Sequence, residues 1–237
     1  MKRNMAREFN RNMFIMLLAI MIGVIIITYF IADIINHSKI ETLTTEYKTE
    51  ITNISSKSEN FTSYFIKSSV VLDQAREDLA FGNYFFDLAF LWYKSALAEK
   101  NNSNFELYKT RAIDNCTSAL PNYIYSRDNY LDAKSYFNTT KSFTNYKLYL
   151  DILDLYINLT DLGSRLSMLR YNASLFLMYL TENLTYDKLN NNVTNLENVS
   201  ELLLLFEITM ESINNVQGEY DEYQGAINEY EFFDENR

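Results

Sequence analysis

The side chains of this 237-residue chain that most plainly invite chemistry are asparagines. The triplet Asn-X-Ser/Thr, the acceptor pattern for N-linked sugar, occurs at Asn36, Asn53, Asn60, Asn101, Asn115, Asn138, Asn158, Asn172, Asn183, Asn192 and Asn198. The 27 Asn and 35 Ser plus Thr of the chain would give about four such triplets in random order, so composition does not account for eleven. A sugar must face solvent. On a helix running from Ile40, Asn53 and Asn60 fall about 140° from the apolar line, and Asn158 is similarly opposed to the core face of its own segment. Asn172 falls among Leu169, Leu175 and Tyr179. The expected order of use therefore begins with Asn53, Asn60 and Asn158 and ends with Asn172.

Other reactive chemistry is sparse. One His, His37, and one Cys, Cys116, cannot assemble a Cys/His metal set. Cys116 lies on an apolar helical face, where a thiol behaves as a small core hydrophobe. No Gly-rich phosphate loop, HExxH or GxSxG motif is present. Carboxylate neighbours such as Glu77-Asp78 and Asp151/Asp154 sit in acidic amphipathic segments and read as solvated faces, the alternative being a glycosidase-like pair. The 19 Tyr and 16 Phe recur at helical core spacing and read as packing, with a Tyr-lined groove at the core margin as the alternative. The expectation is no catalytic residue, no metal ligand and no cofactor.

The element that would position everything else is residues 13–32, which carry no charge. At 1.5 Å per residue such a helix spans about the 30 Å of a bilayer core. Tyr29 and Phe30 lie at one end, where aromatic rings favour the headgroup region, and Asp33 closes the run. A cleaved secretory signal has an apolar core of only about 7–15 residues and ends in small residues, which this run does not. Lys2, Arg3, Arg7 and Arg11 precede it and Lys39 alone follows closely, so the positive-inside rule puts the amino terminus in the cytoplasm. The expected organisation is a cytoplasmic tail at 1–12, a membrane helix at 13–35 and an extracytoplasmic domain at 36–237. Beyond the tail, residues 13–237 have 17 basic and 30 acidic residues, a net charge of −13 that repels nucleic-acid phosphates and anionic headgroups. With one Cys the external domain has no internal disulfide and must rest on its core.

One Pro and five Gly leave too few breakers for a β-sandwich or barrel, so the fold class is all-α. Residues 40–79 show a heptad-like pattern, with Ile40, Tyr47, Ile54, Phe61 and Ala75 on one line and Thr44, Ile51, Phe65, Leu72 and Leu79 beside it. A coiled-coil stalk and the first helix of a bundle compete for this segment. Interruptions at Ser58 and Ser68 favour the bundle, with a break near residues 55–58.

Gly82-Asn83 is placed to end one helix and start another, which predicts a helical hairpin. Ala89, Tyr93 and Ala96 after Gly82-Asn83-Tyr84 resemble the second helix of a tetratricopeptide repeat, although two extra residues follow the turn and no period of about 34 residues recurs. The same segment resembles the helix, Gly-X-Tyr turn, helix units in external domains of archaeal, methanogen-like membrane proteins. That resemblance implies a helical extracytoplasmic domain on a single-pass envelope protein.

Further on, residues 101–104 predict a polar break, Pro121 a helix end, and Leu162-Gly163-Ser164 a turn between two antiparallel helices. Residues 123–138 predict a helix with Leu131 and Tyr136 inward. Residues 165–181 are apolar around most of their girth and predict a central helix. Asn190, Asn191 and Asn192 read as a linker, and after it comes a final helix whose inward line is Leu196, Val199, Leu203, Phe206, Met210, Ile213, Tyr220 and Ile227.

The expectation is an N-terminal transmembrane helix and a six- to eight-helix bundle of antiparallel hairpins, partly tetratricopeptide-like. Its role is a membrane-anchored, non-catalytic envelope scaffold or protein-interaction module, the alternative being a ligand-binding sensor subunit of a membrane complex. The expected partners are the bilayer, through residues 13–35, and other envelope or membrane proteins. The acidic stretch at 219–234 is a surface for a basic one, and nucleic acid is excluded.

Overall fold

The fold is given by a computed structural model. It describes residues 2–187, 190, 192–195 and 199–230, with side chains at Met21 and from Ile27 onward, Asn195 excepted. The chain divides into two compact units, Met1–Ser56 and Lys57–Arg237. Helix α1 (Lys2–Ala98) supplies all the described residues of the first unit and the opening helix of the second. Then come α2 (Asn102–Lys141), α3 (Lys147–Glu182), a short antiparallel ribbon of β1 (Leu184–Asp187) and β2 (Asn192–Asn195), and α4 (Val199–Glu229). The protein is all-α apart from that ribbon. Among the described residues there are four helices, not six to eight.

The difference lies in three expected helix ends that do not occur. Gly82 and Gly163 are interior to α1 and α3, and Pro121 is interior to α2. Both glycines are buried, and each faces a tyrosine of α2. A Cβ at position 82 would lie 2.6 Å from Cε1 of Tyr123, and one at 163 would lie 2.4 Å from Cε1 of Tyr130. The residues that signal turns are instead notches into which two rings seat. Pro121 is tolerated because it is exposed, as is Thr117 four residues earlier, whose carbonyl has no proline N–H to accept from. The helical hairpin at Gly82-Asn83 and the turn at Gly163-Ser164 are therefore corrected to continuous helix. So is the break near residues 55–58, although the boundary between the two units falls there.

Other boundaries reflect local chemistry. α1 ends before Asn101, whose side chain caps α2 by accepting from the backbone N–H groups of Ser103 (2.9 Å) and Asn104 (3.3 Å). Of the expected Asn190–192 linker, Asn190 lies in a turn, Asn191 is outside the described residues, and Asn192 opens strand β2 of the ribbon, in which Thr185 pairs with Thr194 and Tyr186 with Val193. β-branched and aromatic residues at these positions suit a pleated strand. Lys109 of α2 ties the ribbon down, its ammonium donating to the carbonyls of Glu182 (2.9 Å) and Leu184 (2.8 Å).

In the second unit the helices run up, down, up and down. Tyr123 of α2 donates to Asn83 of α1 (3.1 Å), while Asn129 donates to Asp78 (2.8 Å), so the two helices are antiparallel. Between the two tyrosine seats, the buried Ser126 hydroxyl bonds the Ala75 carbonyl of α1 (2.8 Å) and the Ser167 hydroxyl of α3 (2.9 Å). The Gly163 carbonyl, 2.8 Å from the Ser167 hydroxyl, is an alternative acceptor for that hydroxyl's single proton. At one end Phe61, Phe65, Phe137, Tyr149 and Tyr156 form a ring cluster, with Phe137 stacked on Tyr156 at 4.7 Å. α4 closes against α1 through Phe206 on Phe90 (6.2 Å) and through Tyr220, whose hydroxyl meets that of Tyr130 (3.1 Å) and accepts from Arg76 (3.2 Å). Three expected inward residues point out: Leu131 and Leu203 are exposed, and Tyr136 is half-buried beneath the Lys67 ammonium. Leu196 of the final line lies outside the described residues.

The seats make opposite predictions for two helical glycines. Gly163→Ala should destabilise the protein by about 1–3 kcal/mol through overpacking against Tyr130. Gly225→Ala, where a Cβ meets nothing within 4 Å, should stabilise it by up to about 1 kcal/mol. Urea unfolding monitored by circular dichroism reads both, and a stabilising Gly163→Ala would refute the seat.

Candidate interaction surface

The two side chains with intrinsic nucleophilic or metal-binding chemistry have different settings. Cys116 is fully buried in the α2 core face, and burial pushes its thiol up to about 12. A thiol so far from ionising is a packing group. His37 is exposed on α1 in the first unit. Of the carboxylates singled out by sequence, Glu77 and Asp151 are exposed, Asp78 accepts from Asn129 and Gln74, and Asp154 pairs with Lys141. Among the described residues, no three His, Cys, Asp or Glu side chains converge as metal ligands.

A polar cluster of the buried Tyr130 and Tyr220 with the half-buried Arg76 and Gln224 links α1, α2 and α4. Burial is the first cause raising the Tyr130 phenol, so its hydroxyl stays protonated and bonds as a neutral group. This cluster was not legible as a unit, because its members are far apart in the chain. Their roles are internal ties.

The sequons divide by what their side chains do. Asn36, Asn53 and Asn60 are exposed on α1, as are Ser38, Ser55 and Thr62, the hydroxyl residues of their triplets. Asn101 is exposed but serves as the α2 cap. Asn115, Asn138 and Asn183 donate their amides to the carbonyls of Arg111 (2.7 Å), Lys134 (3.0 Å) and Tyr179 (2.8 Å). Asn158 is exposed, while Thr160 of its triplet is buried and donates to the Ile157 carbonyl at 2.8 Å. Thr140, in the triplet of Asn138, is buried too. Asn172 is half-buried and its Ser174 fully so. Asn192 is exposed on β2, and Asn198 lies outside the described residues. Asn53 and Asn60 thus present the most open triplets in mid-helix.

What the chain leaves open is apolar surface on α1. Ile40, Tyr47, Ile51 and Ile54 are each between 61% and 66% exposed, and Leu43 is exposed beside them. The heptad line continues into the second unit, where Phe61 and Phe65 are packed against the core and Leu72, Ala75 and Leu79 are buried in it. The preference for the bundle therefore holds from Phe61 onward and fails before Ser56. A smaller patch on α4 comprises Leu203, Leu204, Leu205 and Ile208.

Among the described residues no helix is long and apolar enough to cross a membrane. Residues 13–20 and 22–26, most of the uncharged run, lie outside those whose side chains are described. Ile27, Tyr29, Phe30 and Ile31 at its end are exposed. Of the acidic stretch, Glu219, Asp221 and Glu222 are exposed and Asp234 lies outside the description. Comparison of the chain with protein-family models, curated proteins and solved structures gives no match.

Burial of Cys116 has a direct readout. With its thiol near 12 rather than the ordinary 9, the thiolate fraction at pH 8 falls by about a thousand-fold. Iodoacetamide at pH 8 should leave the native protein unmodified and alkylate it once in urea, as counted by intact-mass measurement. Rapid alkylation of the folded chain would refute the buried assignment.

Proposed function

We propose that this protein is a membrane-anchored, non-catalytic interaction module of the cell envelope, with a glycosylated helical domain outside the membrane. The observation that carries the reading is the exposed apolar line of the first unit, Ile40, Tyr47, Ile51 and Ile54. Exposed isoleucines at heptad spacing serve contact with another helix and no reaction. Residues 13–35 are the anchor in this reading, on the strength of an uncharged run of bilayer length behind a tail of four basic residues. The excess of sequons supports an extracytoplasmic location for residues 36–237. The sealed thiol and the exposed or paired carboxylates support a role without catalysis.

The anchor and its orientation are tested by protease treatment of intact cells carrying a C-terminal tag. The tag should be lost without opening the membrane, while an N-terminal tag survives. Protection of the C-terminal tag would overturn the topology. Glycopeptide mass spectrometry of the native protein should find sugar on Asn53 and Asn60 and none on Asn172, and modification confined to sites such as Asn172 would overturn the facing argument.

A further inference from the structure

We propose that residues 40–54 of α1 form a parallel, in-register two-stranded coiled coil with a second copy of this chain. The inference deepens the interaction reading above by naming its partner. The parallel sense rests on that reading, since two copies anchored at residues 13–35 enter the contact from the same side.

The apolar stripe decides the kind of partner. With Ile40, Tyr47 and Ile54 at d positions and Thr44 and Ile51 at a positions, the flanking positions carry Glu41, Thr42, Thr45, Glu46, Lys48, Thr49, Glu50, Thr52 and Asn53. Apart from Leu43 the stripe is thus two residues wide per heptad, the width of a coiled-coil seam, whereas a helix packed into a bundle core shows a broader one. The same frame shows the contrast within this chain: from Phe61 onward the helix is covered by α2, α3 and α4, and there its apolar face widens to take in the g positions Tyr64, Val71 and Phe85.

A narrow seam is self-complementary, which is the requirement for a two-fold contact between identical chains. Four side chains per copy, each more than three-fifths exposed, offer two copies apolar surface on the order of the 1,000 Å2 that a specific interface needs. In a parallel pair the g-to-e contacts are Leu43 with Lys48 and Glu50 with Ser55, and none brings like charges together. Thr44 at an a position is a β-branched layer whose hydroxyl donates to the Ile40 carbonyl of its own helix (2.7 Å). Asn53 and Asn60, both at c positions, keep any sugar off the seam.

The test places cysteines in the full-length protein in its native membrane. Thr44→Cys puts a thiol on the seam, and Thr45→Cys puts one on the outer face of the same turn. Both positions are exposed in the single chain, so random collision treats them alike. Cys116 is buried and stays silent. In the parallel pair the two copies of residue 44 lie within disulfide reach, and mild oxidation should give about ten-fold more linked dimer from Thr44→Cys than from Thr45→Cys. Adding Ile51→Asp, which touches no core residue, should abolish the difference. Equal linking at both positions, no linking, or a disulfide to a different polypeptide would overturn the proposal. Alkaline carbonate extraction of the same membranes reads the anchor separately. A chain released by carbonate that still links through residue 44 would sink the anchor and keep the dimer, and a retained chain that does not link would do the reverse.

Discussion

Everything in the second unit depends on how α2 is held between α1 and α3, and that is set by two tyrosine rings lying on two glycines. Tyr123 and Tyr130 are seven residues apart and share a face of α2, yet they seat on different helices, Gly82 of α1 and Gly163 of α3. Each glycine costs the helix about 1 kcal/mol relative to alanine. Each ring removes roughly 150–250 Å2 from water, worth on the order of 4–6 kcal/mol at about 25 cal/mol per Å2. The exchange favours the notch. Because a Cβ at either site would sit under 3.0 Å from the ring, the notches also exclude any sliding of the helices past one another.

The hydroxyls between the rings complete the registration. Ser126 bonds both neighbours at once, the Ala75 carbonyl and the Ser167 hydroxyl, at the level between the two seats. A buried hydroxyl without a partner is costly, so this layer tolerates only the alignment in which both bonds form. Beyond the second ring, the Tyr130 hydroxyl reaches Tyr220 and so draws α4 and Arg76 into the same frame. Four helices are thereby indexed from one face of α2, with burial as the driving force and the polar atoms as selectors of register.

This explains what the sequence discloses and what it conceals. The all-α class is legible from one proline and five glycines, and the end of α1 and the start of α2 from the polar break at 101–104. Gly82 and Gly163 mislead because a glycine before a polar residue looks the same whether it turns the chain or admits a ring, and the deciding tyrosine lies about 30–40 residues away. Pro121 misleads because its cost depends on whether the carbonyl it cannot serve is wet. Leu203 and Leu131 fit an inward spacing yet face out, since a 3–4 pattern names a stripe without saying which neighbour covers it. The β-ribbon was concealed by the asparagines at its turn, which read as a linker although Thr185, Tyr186, Val193 and Thr194 carry strand chemistry.

The site was legible in a different way. The heptad line was visible from Ile40 to Leu79, but its meaning changes along its length: one stretch is buried by the chain's own helices, and the stretch before Ser56 is not. A core that must fold alone draws on aromatics wherever geometry leaves room, which gives the second unit its broad face of Phe61, Tyr64, Phe65, Val71 and Phe85. The stretch before Ser56 lacks that breadth, and hydroxyl and charged residues flank its stripe. The loss of breadth at constant period marks where the chain stops burying its own surface, and it assigns the two parts of α1 to different tasks: one stabilises the fold, and the other is available for association.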